Sequence, residues 1–359
     1  MIEHVFDIRQ GVRATYRDPM ARRTRRSHTD PLTPDAAGRG RGASARRTTD
    51  AAALPDGPVA IPTGTVHLER DPDDPRGVTV HVNGVPSSYV HLDDPSVLAF
   101  EYMQQMACVI EQLPPGPVRA VHLGAAGCSM ARQVAASRPG SRQIAVDPDP
   151  TLLELARGWF GLPRAPELRL RAADGRAALA GMRDASADVV IRDAFAPDRT
   201  PEHMTTSEFL AEVARVLRPG GVYLANVADR PPLALARSEV ATALAARALD
   251  PGRAAWSDVA LVAEPAVLKG RRYGNLVLVA VRAPDRDTQD DDAHDDAPGV
   301  VPTSPLDLAP RSGGLERRLR TLPVPASLLA GDDVVRFGAG APVLLDAPAR
   351  ASTGPAPAR

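Results

Sequence analysis

The stretch Val118-Arg119-Ala120-Val121-His122-Leu123-Gly124-Ala125-Ala126-Gly127-Cys128 decides the fold. Residues 118–123 form a mostly apolar run of strand length. Residues 124–128 are a turn of small residues, and 130–137 carries a helical pattern. Strand, tight turn and helix in that order read as the opening unit of a parallel sheet. Small residues at such a turn let a ligand approach the amides at a helix N-terminus. The same residues also serve any close βα turn.

Working outward, the alternation repeats. Strands are expected at 143–146, 168–171, 187–191 and 222–225, with helices at 151–159, 206–218 and 232–249. Thr205-x-x-Glu208 reads as a capping box, and Pro219-Gly220-Gly221 as the stop of that helix. Two final strands, 259–263 and 275–281, are joined by a hairpin-like connection. Buried apolar strands alternating with helices imply a mainly parallel sheet covered on both faces.

Upstream, 65–70 and 78–82 alternate apolar and polar residues, and Asn83-Gly84 signals a type I′ hairpin. A short antiparallel β unit is expected over 63–92. Asp94-Pro95 then reads as N-cap and first residue of a helix reaching Leu113. Residues 1–60 are Arg-rich and low in large apolar side chains, and are expected to be a solvated, disordered tail. Met20 there can serve as an alternative translation start. Residues 93–283 are expected to make one Rossmann-like domain, 284–312 an acidic Pro/Ala linker, and 313–359 a terminal helix with a frayed tail.

Composition narrows the function. The chain has 359 residues, 43 of them basic, and Lys269 is the single lysine. The formal net charge is −1, which argues against a nucleic-acid partner. The two cysteines, Cys108 and Cys128, form neither a disulfide framework nor a metal-ligand set. His67, His81, His91 and His122 are scattered, so no metal is expected. No apolar run is long enough to span a membrane, and no secretory signal is visible. The expectation is a cytoplasmic bacterial protein without a membrane partner.

The chemistry lies at the strand ends. Asp147 follows the second strand, about 20 residues past the glycine turn, where an acid can hold ribose hydroxyls. Asp149 suits a helix N-cap better. Asp174-Gly175 follows the third strand, where an Asp can accept from an adenine amine or simply make a turn. Asp193 follows the fourth, beside the switch point of the sheet. Gly124, Ala125, Gly127, Asp147, Asp174 and Gly175 are therefore the candidate cofactor residues. The turn lacks the full Gly-x-Gly-x-x-Gly pattern. That favours a sulfonium nucleotide, which needs no pyrophosphate cradle, over a nicotinamide one.

These residues make the chain resemble the spermidine synthase-like family, built on the class I S-adenosylmethionine-dependent methyltransferase fold. The resemblance rests on Phe100-Glu101-Tyr102-Met103, on 188–195 leading into Asp193, and on Pro201-x-His203-Met204-Thr205-Thr206-x-Glu208-Phe209. It implies a seven-stranded, mostly parallel sheet with an antiparallel last strand. It also implies a transferase of polyamine biosynthesis that moves an aminopropyl group from decarboxylated S-adenosylmethionine to a small amine. Asp193 would then orient and deprotonate the amine, Asp147 would hold ribose and Asp174 adenine. The family's N-terminal β unit implies a homodimer. Gly127 stands where the family loop carries an aspartate, and Ala196 where it carries a second acid. A methyltransferase using ordinary S-adenosylmethionine, or a catalytically silent nucleotide-binding paralogue, are the alternatives.

Overall fold

The computed structural model describes residues 54–196, 199–246, 254–285 and 313–348. Most of the Arg-rich head, most of the acidic linker and the last eleven residues lie outside the described residues.

Two sheets build the molecule. The first is antiparallel, with strands β1 (Val59–Ile61), β2 (Gly64–Arg70), β3 (Gly77–Val82) and β4 (Val85–His91) in sequential order. Asn83 and Gly84 both have positive φ, 52° and 78°, as a type I′ turn demands. β1 lies at the edge of the stretch assigned to the tail, and pairs Ala60 with Thr65.

The second sheet runs from β5 to β12. Its strands are β5 (Arg119–Leu123), β6 (Arg142–Asp147), β7 (Leu168–Ala172), β8 (Ala187–Arg192), β9 (Leu217–Asp229), β10 (Trp256–Ala263), β11 (Gly274–Arg282) and β12 (Ser327–Ala330). The spatial order is β12-β10-β11-β9-β8-β5-β6-β7. The five strands from β9 to β7 are mutually parallel, and β11 inserts antiparallel beside β9. This is the Rossmann-like methyltransferase arrangement, an α/β fold with seven expected strands. An eighth, β12, pairs antiparallel with β10 and covers that edge. Its four residues are too short to carry a period-2 signal.

Side-chain parity assigns each face. Leu123, Tyr223, Ala225 and Leu278 pack under α5 (Ser207–Val216), α6 (Ala234–Ala245) and α9 (Asp332–Gly338). Ile191, Leu224, Val277 and Val279 pack under α1 (Glu101–Glu111), α2 (Ser129–Ser137) and α8 (Gly314–Arg320). The small sheet packs Val66, Val80 and Val90 against Ala125, Cys128 and α3 (Pro150–Phe160). α4 (Gly175–Ala180) and the short α7 (Pro265–Leu268) complete the fold.

Two helix starts differ from expectation. The helix expected from Asp94 begins at Glu101. Asp94 instead accepts from the Ser96 amide at 2.9 Å and the Ser96 hydroxyl at 2.6 Å, closing a local turn ahead of it. The cap of α5 is Thr206 rather than Thr205. Its hydroxyl accepts from the Phe209 amide, while Glu208 accepts from the amide of Asp346.

Candidate active site

The carboxyl edge of β5, β6, β7 and β8 gathers the predicted residues. The strand order reverses between β5 and β8, the switch point at which open parallel sheets form a ligand crevice. Gly124 has φ 102°, and a Cβ on it would lie 2.0 Å from the Asp193 carbonyl oxygen. Only glycine lets the first turn come this close to the fourth strand end. The Asp193 amide in turn donates to the Leu123 carbonyl at 2.8 Å.

Asp193 is held at both of its carboxylate oxygens. Tyr102 of α1 donates its hydroxyl to Asp193 Oδ2 at 2.8 Å, and Asn226 of β9 donates Nδ2 to Oδ1 at 3.0 Å. Burial pushes the carboxyl above its usual range, and Asn226, Tyr102 and Arg192 pull it only part of the way back. Asn226 is 3% exposed, and its Oδ1 has no partner. A spare buried acceptor beside a raised carboxylate suits an N–H-bearing ligand.

Arg192 precedes Asp193 and points to the other face, as successive strand residues do. It is fully buried and pairs with Glu239 of α6 at 2.7 Å. Its guanidinium also donates to the carbonyls of Met204 (2.8 Å) and Asn226 (3.3 Å). One cation thereby ties β8, β9, α6 and the 201–205 loop beneath the crevice.

Asp147 ends β6. Its Oδ2 accepts from the Ala125 amide at 3.2 Å and its Oδ1 from the Asp149 amide at 3.0 Å. Burial raises this carboxyl against both hydrogen bonds. Each oxygen keeps a lone pair, so the half-exposed side chain can still accept from two hydroxyls. Asp149 is the N-cap of α3 and also accepts from Thr63, through its amide (2.9 Å) and hydroxyl (2.7 Å). It is a structural tie to the small sheet.

Asp174 caps α4 through the Ala177 amide at 3.0 Å, and its Oδ2 meets His203 Nε2 at 2.8 Å. Partial burial pushes it up, and the Ala177 amide and His203 outweigh that, leaving it below its usual range. A Cβ on Gly175 would lie 2.6 Å from Met204 Cε, so a side chain there would have to displace the tip of Met204.

Gly127 points elsewhere. Its amide donates to Ser88 Oγ at 3.0 Å, and a Cβ would sit 2.7 Å from Ser88 Cβ and 2.9 Å from Val90 Cγ2. The small sheet therefore occupies the space an acidic side chain would need. Cys128 is buried, its thiol pushed up to about 12 by burial and then by Asp147. It is small filler rather than a nucleophile.

Sequence reasoning did not place Tyr102 or Asn226 in the site. Tyr102 sits at helical spacing among apolar residues and reads as core. Asn226 is a polar residue inside the apolar run 222–228, and that interruption is the signal that marks it.

Comparison with known proteins agrees with this fold. Residues 121–225 match a family described as "Methyltransferase domain". The crystal structure of a probable spermidine synthase from Corynebacterium glutamicum superposes with a TM-score of 0.68 at 33% identity, covering 84% of this chain and 99% of that one. The chain belongs to the spermidine synthase-like family. Curated relatives of the family include the polyamine aminopropyltransferase of Vibrio vulnificus, 32% identical over 114 residues, which are 31% of this chain and 38% of that protein. The polyamine aminopropyltransferase of Chromobacterium violaceum is 29% identical over 140 residues, 39% of this chain and 53% of that protein. The chain thus spans about 38% to 53% of these two relatives. The mouse eEF1A lysine and N-terminal methyltransferase is 30% identical over 152 residues, 38% of this chain and 22% of that protein. These three curated relatives are transferases by name. Among the described residues no helix is long and apolar enough to cross a membrane.

Proposed function

We propose that the chain transfers an aminopropyl group from decarboxylated S-adenosylmethionine to a small amine. The observation that carries this reading is Asp193, a half-buried carboxylate at the switch point of the sheet, gripped by Tyr102 and Asn226. The names of the family's bacterial relatives support the same reaction.

In this reading Asp147 accepts from the ribose hydroxyls and Asp174 from the adenine amine. Asp193 pairs with the incoming ammonium, takes one proton from it and holds the freed nitrogen in line for attack. Tyr102 and Asn226 keep that carboxylate in one orientation, so little reorganisation is needed when the proton arrives. The sulfonium co-substrate supplies the carbon electrophile, and its sulfur leaves as the thioether methylthioadenosine. The raised basicity of Asp193 suits it to the proton it must take. Assembly as a homodimer belongs to the same reading.

A second reading has its own observation. Ser88 and Val90 exclude an acid at position 127, the place from which the family loop would repel a methionine carboxylate. Ordinary S-adenosylmethionine and methyl transfer fit that substitution. Purified protein incubated with a panel of amines and decarboxylated S-adenosylmethionine separates the two. Release of methylthioadenosine that disappears in Asp193→Asn is the expected result. Release of S-adenosylhomocysteine from the ordinary co-substrate, with no methylthioadenosine from the other, refutes the aminopropyl reading.

A further inference from the structure

Past α9 the chain crosses from α6 to α5 to α4, and residues 341–346 of this strap form neither helix nor strand. The Leu344 amide donates to Thr242 Oγ1 of α6 at 2.9 Å, and the Leu344 carbonyl accepts from the Ser207 amide at 2.9 Å. Ser207 opens α5, so its amide has no acceptor within its own helix. Asp346 then reaches Arg176 of α4 through both carboxylate oxygens, each at 2.6 Å. Its Oδ1 also accepts from the Thr206 hydroxyl at 2.8 Å. The ion pair joins residues 170 positions apart in the chain, in the bidentate geometry that fixes a guanidinium most firmly.

Arg176 links the strap to the candidate site. It also donates to the His203 carbonyl at 3.1 Å, while the next carbonyl, that of Met204, accepts from the buried Arg192 at 2.8 Å. Two arginines thus grip consecutive carbonyls of the 201–205 loop. With the loop so held, His203 Nε2 meets Asp174 Oδ2 at 2.8 Å, while Asp174 Oδ1 caps α4. Both Asp174 oxygens are fixed in direction, with acceptor capacity left for an amine.

We propose that Asp346 is a positioning residue for the adenine end of the co-substrate site, acting through Arg176 and His203 on Asp174. This rests on the reading of Asp174 as the adenine acceptor. Glu208 and Glu212 also act on the Arg176 guanidinium. Without Asp346 the guanidinium turns toward them and leaves the His203 carbonyl. The outer oxygen of Asp174 then loses its partner and its direction.

The test is calorimetry of the full chain with two ligands. One is methylthioadenosine, whose adenosine both candidate co-substrates share. The other is methylthioinosine, whose base carries a carbonyl in place of the 6-amino group. Wild type is expected to favour methylthioadenosine by about 10- to 100-fold, the range for a hydrogen bond to a charged group. Asp346→Asn keeps an oxygen for Thr206 and leaves the Leu344 backbone bonds in place, but loses the charged fork. The preference should then fall to about threefold, through weaker binding of methylthioadenosine alone. Arg176→Met should give the same loss, and the double variant no more than either single change, because one link carries the effect. A strap that only stabilised the fold would weaken both ligands equally. An equal loss for both ligands, or a wild-type preference kept in the single variants, overturns the inference and leaves the adenine assignment standing. Equal binding of the two ligands by wild type, or binding of neither, overturns the adenine assignment and the inference with it. Should Asp346→Asn fail to fold, Arg176→Met decides the question from the other side of the pair.

Discussion

Tyr102→Phe tests the proton-accepting role of Asp193. The substitution removes one hydroxyl and leaves the ring stacked on Phe100, 5.8 Å between centroids, so the packing of α1 is kept. The lost bond is a 2.8 Å donation to a carboxylate. Such bonds are worth about 1.5–3 kcal/mol. At about 1.4 kcal/mol per pKa unit, the Asp193 carboxyl should rise by about one to two units. The sign follows from which form is stabilised. The hydroxyl favours the ionised carboxylate, so its loss moves an already raised pKa further up. Only the ionised form accepts the amine's proton, so the acidic limb of kcat/KM moves to higher pH by the same amount. The assay is methylthioadenosine release followed between about pH 5 and 9. Most of the activity should return at the alkaline end, where the carboxylate is ionised in both proteins. A limb that stays in place or moves to lower pH refutes the reasoning. A uniform loss at every pH would reassign Tyr102 to packing alone.

Two further predictions concern the frame of the site. Gly127→Ala should destabilise the fold by about 1–3 kcal/mol, because its Cβ meets Ser88 Cβ at 2.7 Å. Ser88→Gly should restore part of that in a urea-melting cycle, and independent, additive effects would show that the small sheet is not what excludes a side chain there. Arg192→Met should cost about 3–5 kcal/mol by leaving Glu239 buried without its cation. Adding Glu239→Leu should recover most of the melting temperature while activity stays low, because the Asn226 and Met204 carbonyls remain without Arg192. Recovery of full activity in the double variant would show that Arg192 does not position the site.

Much of the fold was legible because its signals are local. Apolar runs of strand length alternate with helical spacing from Val118 onward, and each periodicity needs only its own neighbours to be read. Asp147, Asp174 and Asp193 were legible for the same reason, since strand ends in an open parallel sheet face one crevice. Element boundaries were less so. Asp94 carries the composition of a helix cap but spends its oxygen on Ser96. Thr205 and Thr206 offer equivalent hydroxyls, but that of Thr205 donates to the Glu202 carbonyl at 2.8 Å, which leaves Thr206 as the cap.

The sequence by itself determined the alternating architecture, the glycine turn and the row of strand-end aspartates, because each is written in consecutive residues. The tertiary structure decided what those aspartates face. Tyr102, Asn226 and Asp193 lie far apart in the chain, and only the order β9-β8-β5 and the position of α1 bring them together. The same holds for Gly127, whose missing carboxylate reads in sequence as a lost function. In space it is a packing requirement of Ser88 and Val90. Side-chain partners across a sheet depend on register and strand order, which no local pattern encodes.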